Sequence, residues 1–173
     1  MKVAVIGGGA AGMMFSTQYK KANPDDEVFV FEKSQYVAWA GCPTPYYIAD
    51  ELSFNDVVLG TPEDFIKRGV NVKTLHKVTD IDFKNKTLNV EGNEINRAFE
   101  YDRLIIAVGA KSFVPNIKGY SENLGNVFTL SHAEHAVKIK EYINENKDKI
   151  KKAVVVGAGF IGLETAEAFN RNI

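Results

Sequence analysis

The sequence predicts an α/β fold built on parallel strands, and three observations predict it. Short continuous apolar runs, KVAVI at 2–6, EVFVFEK at 27–33 and LIIAVGA at 104–110, read as strands buried on both faces. A glycine turn, GGGAAG, and a helical stretch, MMFSTQYKKAN, separate the first two runs and make a βαβ unit. The same plan returns near residue 173 in KKAVVVGAGFIGLETAEAF: apolar strand, glycine turn, helix.

The elements follow in order. The first helix ends before Pro24, and the second strand leads into a loop that carries Cys42. Thr61-Pro62-Glu63-Asp64 opens a helix, with Thr61 as N-cap, proline at the first helical position and acids in the first turn. VNVKTLHKVTDIDF, KTLNV and INRAFEY alternate and are rich in β-formers, with KN and EGN turns between them, and predict an antiparallel meander. Residues 111–130, with Pro115, Gly119 and Gly125, form a connection. Ser131-His-Ala-Glu134 reads as a capping box opening a polar helix to about residue 147. The expected organisation is a Rossmann-like domain over 1–112 with the meander inserted, a connection and helix over 113–148, and the start of a second Rossmann-like domain over 149–173. One strand and one helix cannot bury their own apolar faces, so a longer protein or a partner segment is expected to complete the second domain.

Composition bounds the partners. The chain has 21 basic and 22 acidic residues and a net charge of −1, so no basic excess points to nucleic acid or an anionic membrane. The first apolar run is too short for a secretory segment, and no run of about 18 apolar residues could span a bilayer. A single cysteine rules out an intrachain disulfide and suits a reducing cytoplasm.

The first glycine turn is Gly7-x-Gly9-x-x-Gly12. It follows a strand, opens a helix and has an acid, Glu32, 20 residues beyond Gly12. That is the context a dinucleotide site needs. Gly7 permits the turn, Gly9 lets a pyrophosphate approach the backbone, and Gly12 lets the helix pack on the strand. The helix N-terminus then offers free N–H groups to phosphate. Glu32 can accept hydrogen bonds from a ribose and would repel a 2′-phosphate. A turn that merely links strand to helix is the alternative, and the context weighs against it. The second turn, Gly157-x-Gly159-x-x-Gly162, repeats the spacing, but its acid would lie past Ile173, so NADH and NADPH are not distinguished. Two dinucleotide turns suggest a flavin that accepts a hydride and a nicotinamide that supplies it.

Cys42 stands in AWAGCPTPYYIAD. Proline is favoured in the first turn of a helix, so Cys42 is expected near a helix N-terminus, where a thiol gains thiolate character. Without a second cysteine it would pair with an outside thiol or be oxidised to a sulfenic acid. Free cysteine is also common core filler, and the residues alone leave both readings open.

The chain resembles the flavin-dependent pyridine nucleotide disulfide oxidoreductases, in their single-cysteine branch of coenzyme A disulfide reductases, NADH oxidases and peroxidases, and NAD(P)H polysulfide or persulfide reductases. The resemblance runs through VAVIGGGAAG, FEKSQYVAWAGCPTPYYI, TPEDF, KVTDID, YDRLIIAVGAKSFVPNIKG and VVVGAGFIGLE and covers the whole chain. It implies FAD contacts from Gly7, Gly9, Ala11, Gly12, Glu32 and Lys33, with Val78 and the Ala107-Val108-Gly109 turn where the chain passes the flavin. It implies NAD(P)H contacts from Gly157, Gly159, Phe160, Ile161, Gly162 and Glu164, with Phe160 and Glu164 nearest the nicotinamide. It makes Cys42 the redox cysteine beside the flavin. Gln18, Lys20 and Lys21 fall where the coenzyme A reductases carry a Gln and two arginines for coenzyme A; a solvated helix face is the competing reading, since lysine lacks the bidentate geometry of arginine.

The departures are Ala-Trp-Ala-Gly-Cys-Pro, where the family often has Ser-Phe-x-x-Cys-Gly, and Ala-Val-Gly for Ala-Thr-Gly. The resemblance further implies a homodimer in the full-length protein. The expected chemistry passes electrons from NAD(P)H through FAD to Cys42 and on to a disulfide, persulfide or polysulfide, with coenzyme A disulfide the most concrete acceptor. An NADH oxidase or peroxidase, a reductase for a small redox protein, and a non-catalytic nucleotide-binding fragment are the rivals. His132 and His135 lie three apart, but no third metal ligand is apparent and a polar helix surface is expected. His76 belongs with the meander; Tyr46 and Tyr47 could line a thiol pocket, though helix packing accounts for at least one; Trp39 takes no role.

Overall fold

A computed structural model describes residues 1–92, 97–121 and 123–172. In chain order the elements are β1 (Lys2–Ile6), α1 (Ala10–Ala22), β2 (Glu27–Phe31), α2 (Thr44–Ile48), α3 (Phe54–Val57), α4 (Pro62–Lys67), β3 (Val70–Lys73), β4 (Lys77–Asp82), β5 (Thr87–Glu91), β6 (Arg97–Glu100), β7 (Arg103–Ile106), α5 (Ala133–Asn146) and α6 (Phe160–Asn172). They form two compact units. The first holds Met1–Trp39 and Val58–Gly109, the second Ala40–Val57 and Ala110–Ile173.

The first unit is a four-stranded parallel sheet in the order β3-β2-β1-β7 with a three-stranded antiparallel sheet, β4-β5-β6. Side chains along β1 alternate between two cores. Val3 and Val5 pack with Val28, Val30, Met13 of α1 and Phe65 of α4. Ala4 and Ile6 pack with Phe31, Leu88 and Val90, on the side of the antiparallel sheet. Both faces of β1 are therefore covered, which is why KVAVI is apolar without alternation.

Two strand expectations change in the first unit. VNVK was expected in the meander but is β3, parallel to β2 and at the sheet edge. Val70 and Val72 face the core while Asn71 and Lys73 are exposed. An edge strand with one covered face alternates just as a meander strand does, and a preceding helix, α4, supplies the crossover a parallel neighbour needs. The run at 104–110 is the opposite edge: its strand is Arg103–Ile106, and Ile106 is 54% exposed. The meander itself is β4, β5 and β6. Asn93 of the EGN turn, and Ile95 and Asn96 of INRAFEY, lie outside the described residues. The N-cap at Thr61 forms as expected, and Asp64 completes a capping box with it.

In the second unit α2 packs against both α5 and α6. Ala133, Ala136, Ile139 and Ile143 make the buried face of α5. The capping box expected at Ser131 does not form. The helix starts one residue later, with His132 as N-cap and no side-chain cap bond, and Ser131 Oγ lies 3.2 Å from His135 Nδ1. KKAVVV is not a strand: Val154 and Val156 are 75% and 79% exposed. A strand's N–H and C=O groups need a neighbouring strand, and none among the described residues pairs with this run. No described helix is long and apolar enough to cross a membrane.

Candidate functional site

The first glycine turn lies at the carboxyl ends of β1 and β7. The parallel sheet reverses its order there: β2 and β3 continue to one side of β1, and β7 lies on the other. Ligands of open α/β sheets bind at such switch points. Gly7 has φ +105°, and its N–H donates to the Phe31 carbonyl at 2.9 Å. A Cβ on Gly7 would run into the carbonyl oxygen of Ala107, and one on Gly12 into the carbonyl oxygen of Gly7. A Cβ on Gly9 would meet nothing within 4 Å. Two glycines are therefore demanded by close packing, and the third leaves open space beside the first turn of α1. Gly9 caps that helix without a side chain, so the first N–H groups of α1 have no side-chain partner at the cap. This arrangement fits a dinucleotide pyrophosphate.

The structure brings Gly7, Gly12, Ala107 and Val108 together. It also places Glu32: one carboxylate oxygen accepts from the Gly8 N–H at 2.7 Å and the other from the Ser34 N–H at 2.8 Å. These bonds orient the carboxylate and leave lone pairs free for ribose hydroxyls. Gly8 was missed from the sequence. A Cβ there would press on Val37 Cγ1 at 2.9 Å and Glu32 Cβ at 3.0 Å, and the available signal was the middle glycine of GGG. Ala11, Lys33, Val108 and Gly109 are exposed. Val78 is not gathered at the turn by its side chain, which packs against the core on β4 opposite Val90.

The second turn, in the other unit, has the same internal geometry. Gly157 has φ +120°. A Cβ on Gly162 would run into the Gly157 carbonyl oxygen, and one on Gly159 would meet nothing within 4 Å. Leu163 N–H donates to Gly159 O at 3.0 Å, matching the Met13 to Gly9 bond at 3.0 Å in the first turn. Phe160, Ile161 and Glu164 are exposed. The residues present suit a second dinucleotide.

Cys42 is exposed, so it is not core filler. It lies two residues before α2, and the Thr44 N–H donates to the Gly41 carbonyl at 3.2 Å. Thr44, Pro45, Tyr47 and Ile48 form the buried face of α2. Tyr47 is thus a packing residue, while Tyr46 is exposed and available to a ligand. Pro45, rather than Pro43, sits inside the helix, and Pro43 is its N-cap.

The remaining candidates resolve locally. Lys20 Nζ donates to the carbonyls of Pro24 and Asp26, each at 2.7 Å, and so ties the end of α1 to the following loop. Gln18 and Lys21 are exposed. The His132 and His135 rings are 5.6 Å apart, and no group of three or more metal-ligating side chains occurs among the described residues. His76 Nδ1 is 2.7 Å from the Thr74 carbonyl, between β3 and β4. Trp39 forms an antiparallel bridge with Val58.

Two glycine turns of one geometry, each opening a helix, define a chain built to hold two dinucleotides. Residues 1–172 match the family model described as pyridine nucleotide-disulphide oxidoreductase, and the chain belongs to that family. It is 39% identical over 171 residues to an NADH oxidase of Methanocaldococcus jannaschii, covering 96% of this chain and 37% of that protein. It is 37% identical over 169 residues to the NAD(P)H coenzyme A polysulfide/persulfide reductase of Pyrococcus horikoshii, covering 97% and 37%. Among solved structures, the water-forming NADH oxidase of Lactobacillus brevis bound to NADH superposes with a TM-score of 0.87 at 31% identity, covering 99% of this chain and 37% of that one. The chain thus spans little more than a third of the length of the relatives it matches.

Proposed function

We propose that this chain is the nucleotide-binding part of a flavoenzyme that moves electrons from NAD(P)H to a small-molecule disulfide, persulfide or polysulfide through Cys42. The observation that carries the reading is the pair of matching glycine turns, together with an exposed, unpaired cysteine. Gly7, Gly9, Gly12 and Glu32 would hold FAD; Gly157, Gly159 and Gly162 would hold NAD(P)H, with Phe160 and Glu164 toward the nicotinamide. Bound together, the two cofactors would supply hydride transfer from nicotinamide to flavin and an electron pair for the thiol.

The Cys42 thiolate attacks one sulfur of the acceptor disulfide. The S–S bond breaks, one thiol leaves after taking a proton, and a mixed disulfide forms on Cys42. Two electrons and a proton then restore the Cys42 thiolate and release the second thiol. Exposure of Cys42 lets such a substrate reach it. Coenzyme A disulfide is the acceptor we favour, because a relative 37% identical carries coenzyme A in its name. A homodimer in a reducing cytoplasm completes the reading.

The identity to an NADH oxidase favours a second reading, in which Cys42 cycles through a sulfenic acid and oxygen or peroxide is the acceptor. The intact mass of the non-reduced full-length protein, before and after a mild thiol reductant, separates the two. A removable adduct of coenzyme A size on Cys42 supports disulfide chemistry. One added oxygen supports the oxidase reading. A bare, unreactive thiol overturns both.

A further inference from the structure

The helix that follows Cys42 has only five residues. A helix that short does not persist on its own hydrogen bonds, so its place depends on what grips it. Lys140, on α5 and 93 positions from Tyr47, concentrates three contacts on the end of α2. Its Nζ donates to the Tyr47 carbonyl at 2.8 Å, pairs with Asp50 Oδ1 at 2.7 Å, and lies 4.1 Å from the Tyr47 ring centroid. Its side chain is 16% exposed. The Tyr47 carbonyl belongs to the last turn of α2, where no following helical turn covers it; it also accepts from the Asp50 N–H at 3.3 Å. Asp50, with φ +56°, turns the chain away.

A largely buried ammonium costs free energy unless its donors are met, and the partners that meet these donors are the Tyr47 carbonyl of α2, the helix that follows Cys42, and Asp50, two residues past its end. The adjacent acid, Glu51, is held from α6 by Arg171 at 2.6 Å. Both acids are exposed, Asp50 at 60% and Glu51 at 37%, and both pairs are screened by water; Lys140 differs in being the less exposed cation and in also meeting the Tyr47 carbonyl and ring.

We propose that Lys140 is a positioning residue: it fixes α2 from its carboxyl end and so sets how the Cys42 thiol is presented to its acceptor. The proposal rests on the reading of Cys42 as the redox thiol.

The test uses the full-length, flavin-loaded protein. Lys140→Met keeps the stem and removes donors and charge; Lys140→Arg keeps a cation; Lys138→Met, at an exposed position of the same helix, is the control. In Lys140→Met, amide exchange at Tyr47 and Ala49 should rise about tenfold, with β1 and β2 unchanged. The kcat for disulfide reduction should fall about tenfold while the rate of flavin reduction by NAD(P)H holds. Lys140→Arg should recover most of both, and Lys138→Met should change neither. Asp50→Asn should give a smaller change in the same direction, and it serves if Lys140→Met does not fold.

Unchanged exchange in α2 overturns the proposal. So does a fall in turnover and flavin reduction together, which is general structural loss. So does raised exchange with full turnover, provided Cys42→Ser abolishes turnover. Full turnover in Cys42→Ser sinks the reading of the thiol instead, and exchange in α2 then decides alone whether Lys140 holds that helix.

Discussion

The two glycine turns are close copies seated differently. Each has a first glycine with positive φ and a third glycine that abuts the first one's carbonyl. The first turn rises from a strand whose valines are fully buried, and Gly7 is pressed against Ala107. The second follows a run that pairs with no described strand, and Gly157 presses on nothing. Turn geometry is therefore a local property of the glycine spacing, whereas the strand beneath it needs neighbours. The first turn belongs to a packed unit, and the second follows a run with no paired strand among the described residues.

The largest expected effect tests whether the shared geometry matters equally. Gly12→Val pushes three carbons into the Gly7 carbonyl and the Ala107 methyl inside a packed unit. It should cost about 4 kcal/mol or more and abolish flavin retention, read by thermal unfolding and bound-flavin absorbance. Gly162→Val should abolish NAD(P)H binding while leaving flavin retention intact. Equal loss of flavin in both variants would break the distinction between the turns.

Next in size, Gly7→Ala meets both an unfavourable φ and the Ala107 carbonyl, whereas Gly157→Ala meets only the φ cost of about 1–2 kcal/mol. The melting temperature should fall clearly further for Gly7→Ala. Similar shifts would mean that Ala107 yields and that the first turn is less tightly seated than it looks.

Helix starts offer a finer version of the same contrast. Thr61 makes a capping box with Asp64, while Ser131 caps nothing. Denaturant titrations should show Thr61→Ala losing about 1 kcal/mol and Ser131→Ala within about 0.5 kcal/mol of wild type. A larger cost at Ser131 would mean that its contact with His135 holds the helix start.

The smallest effect is electrostatic and confined to the first unit. Asp26 accepts from the Met1 amine at 2.6 Å and the Tyr19 hydroxyl at 2.7 Å. These bonds, the amine's first, lower its pKa. The pair's stabilisation is present above the ordinary carboxylate range and lost as pH falls through the depressed value. The same pair raises the amine's pKa, so its share fades only as pH rises through that raised value. Asp26→Asn should flatten both limbs of the stability–pH curve, and an unchanged curve would discount the pair.

What could be read from the residues, and what could not, follows the same line. KVAVI, EVFVF and the two glycine motifs are legible because burial on both faces and close backbone packing each demand particular residue types in a row. The partner of VNVK is not legible: alternation reports one covered face and is silent on whether the neighbour runs parallel. KKAVVV carries the composition of a strand, but pairing is not a property of one segment. The grip of Lys140 on Tyr47 joins residues 93 apart, and no local pattern announces it. Glu32 was singled out by its distance from Gly12, while its tie to the Gly8 N–H appears only when β1 and β2 lie side by side.

The central claim is that electrons leave through Cys42. Its most direct test is to follow flavin reduction and thiol release separately in full-length wild-type and Cys42→Ser protein, with NAD(P)H and coenzyme A disulfide. The account predicts that Cys42→Ser still accepts electrons from NAD(P)H at close to the wild-type rate but releases thiol at least about a thousandfold more slowly, because the nucleophile is gone. Thiol release at the wild-type rate from Cys42→Ser would contradict it.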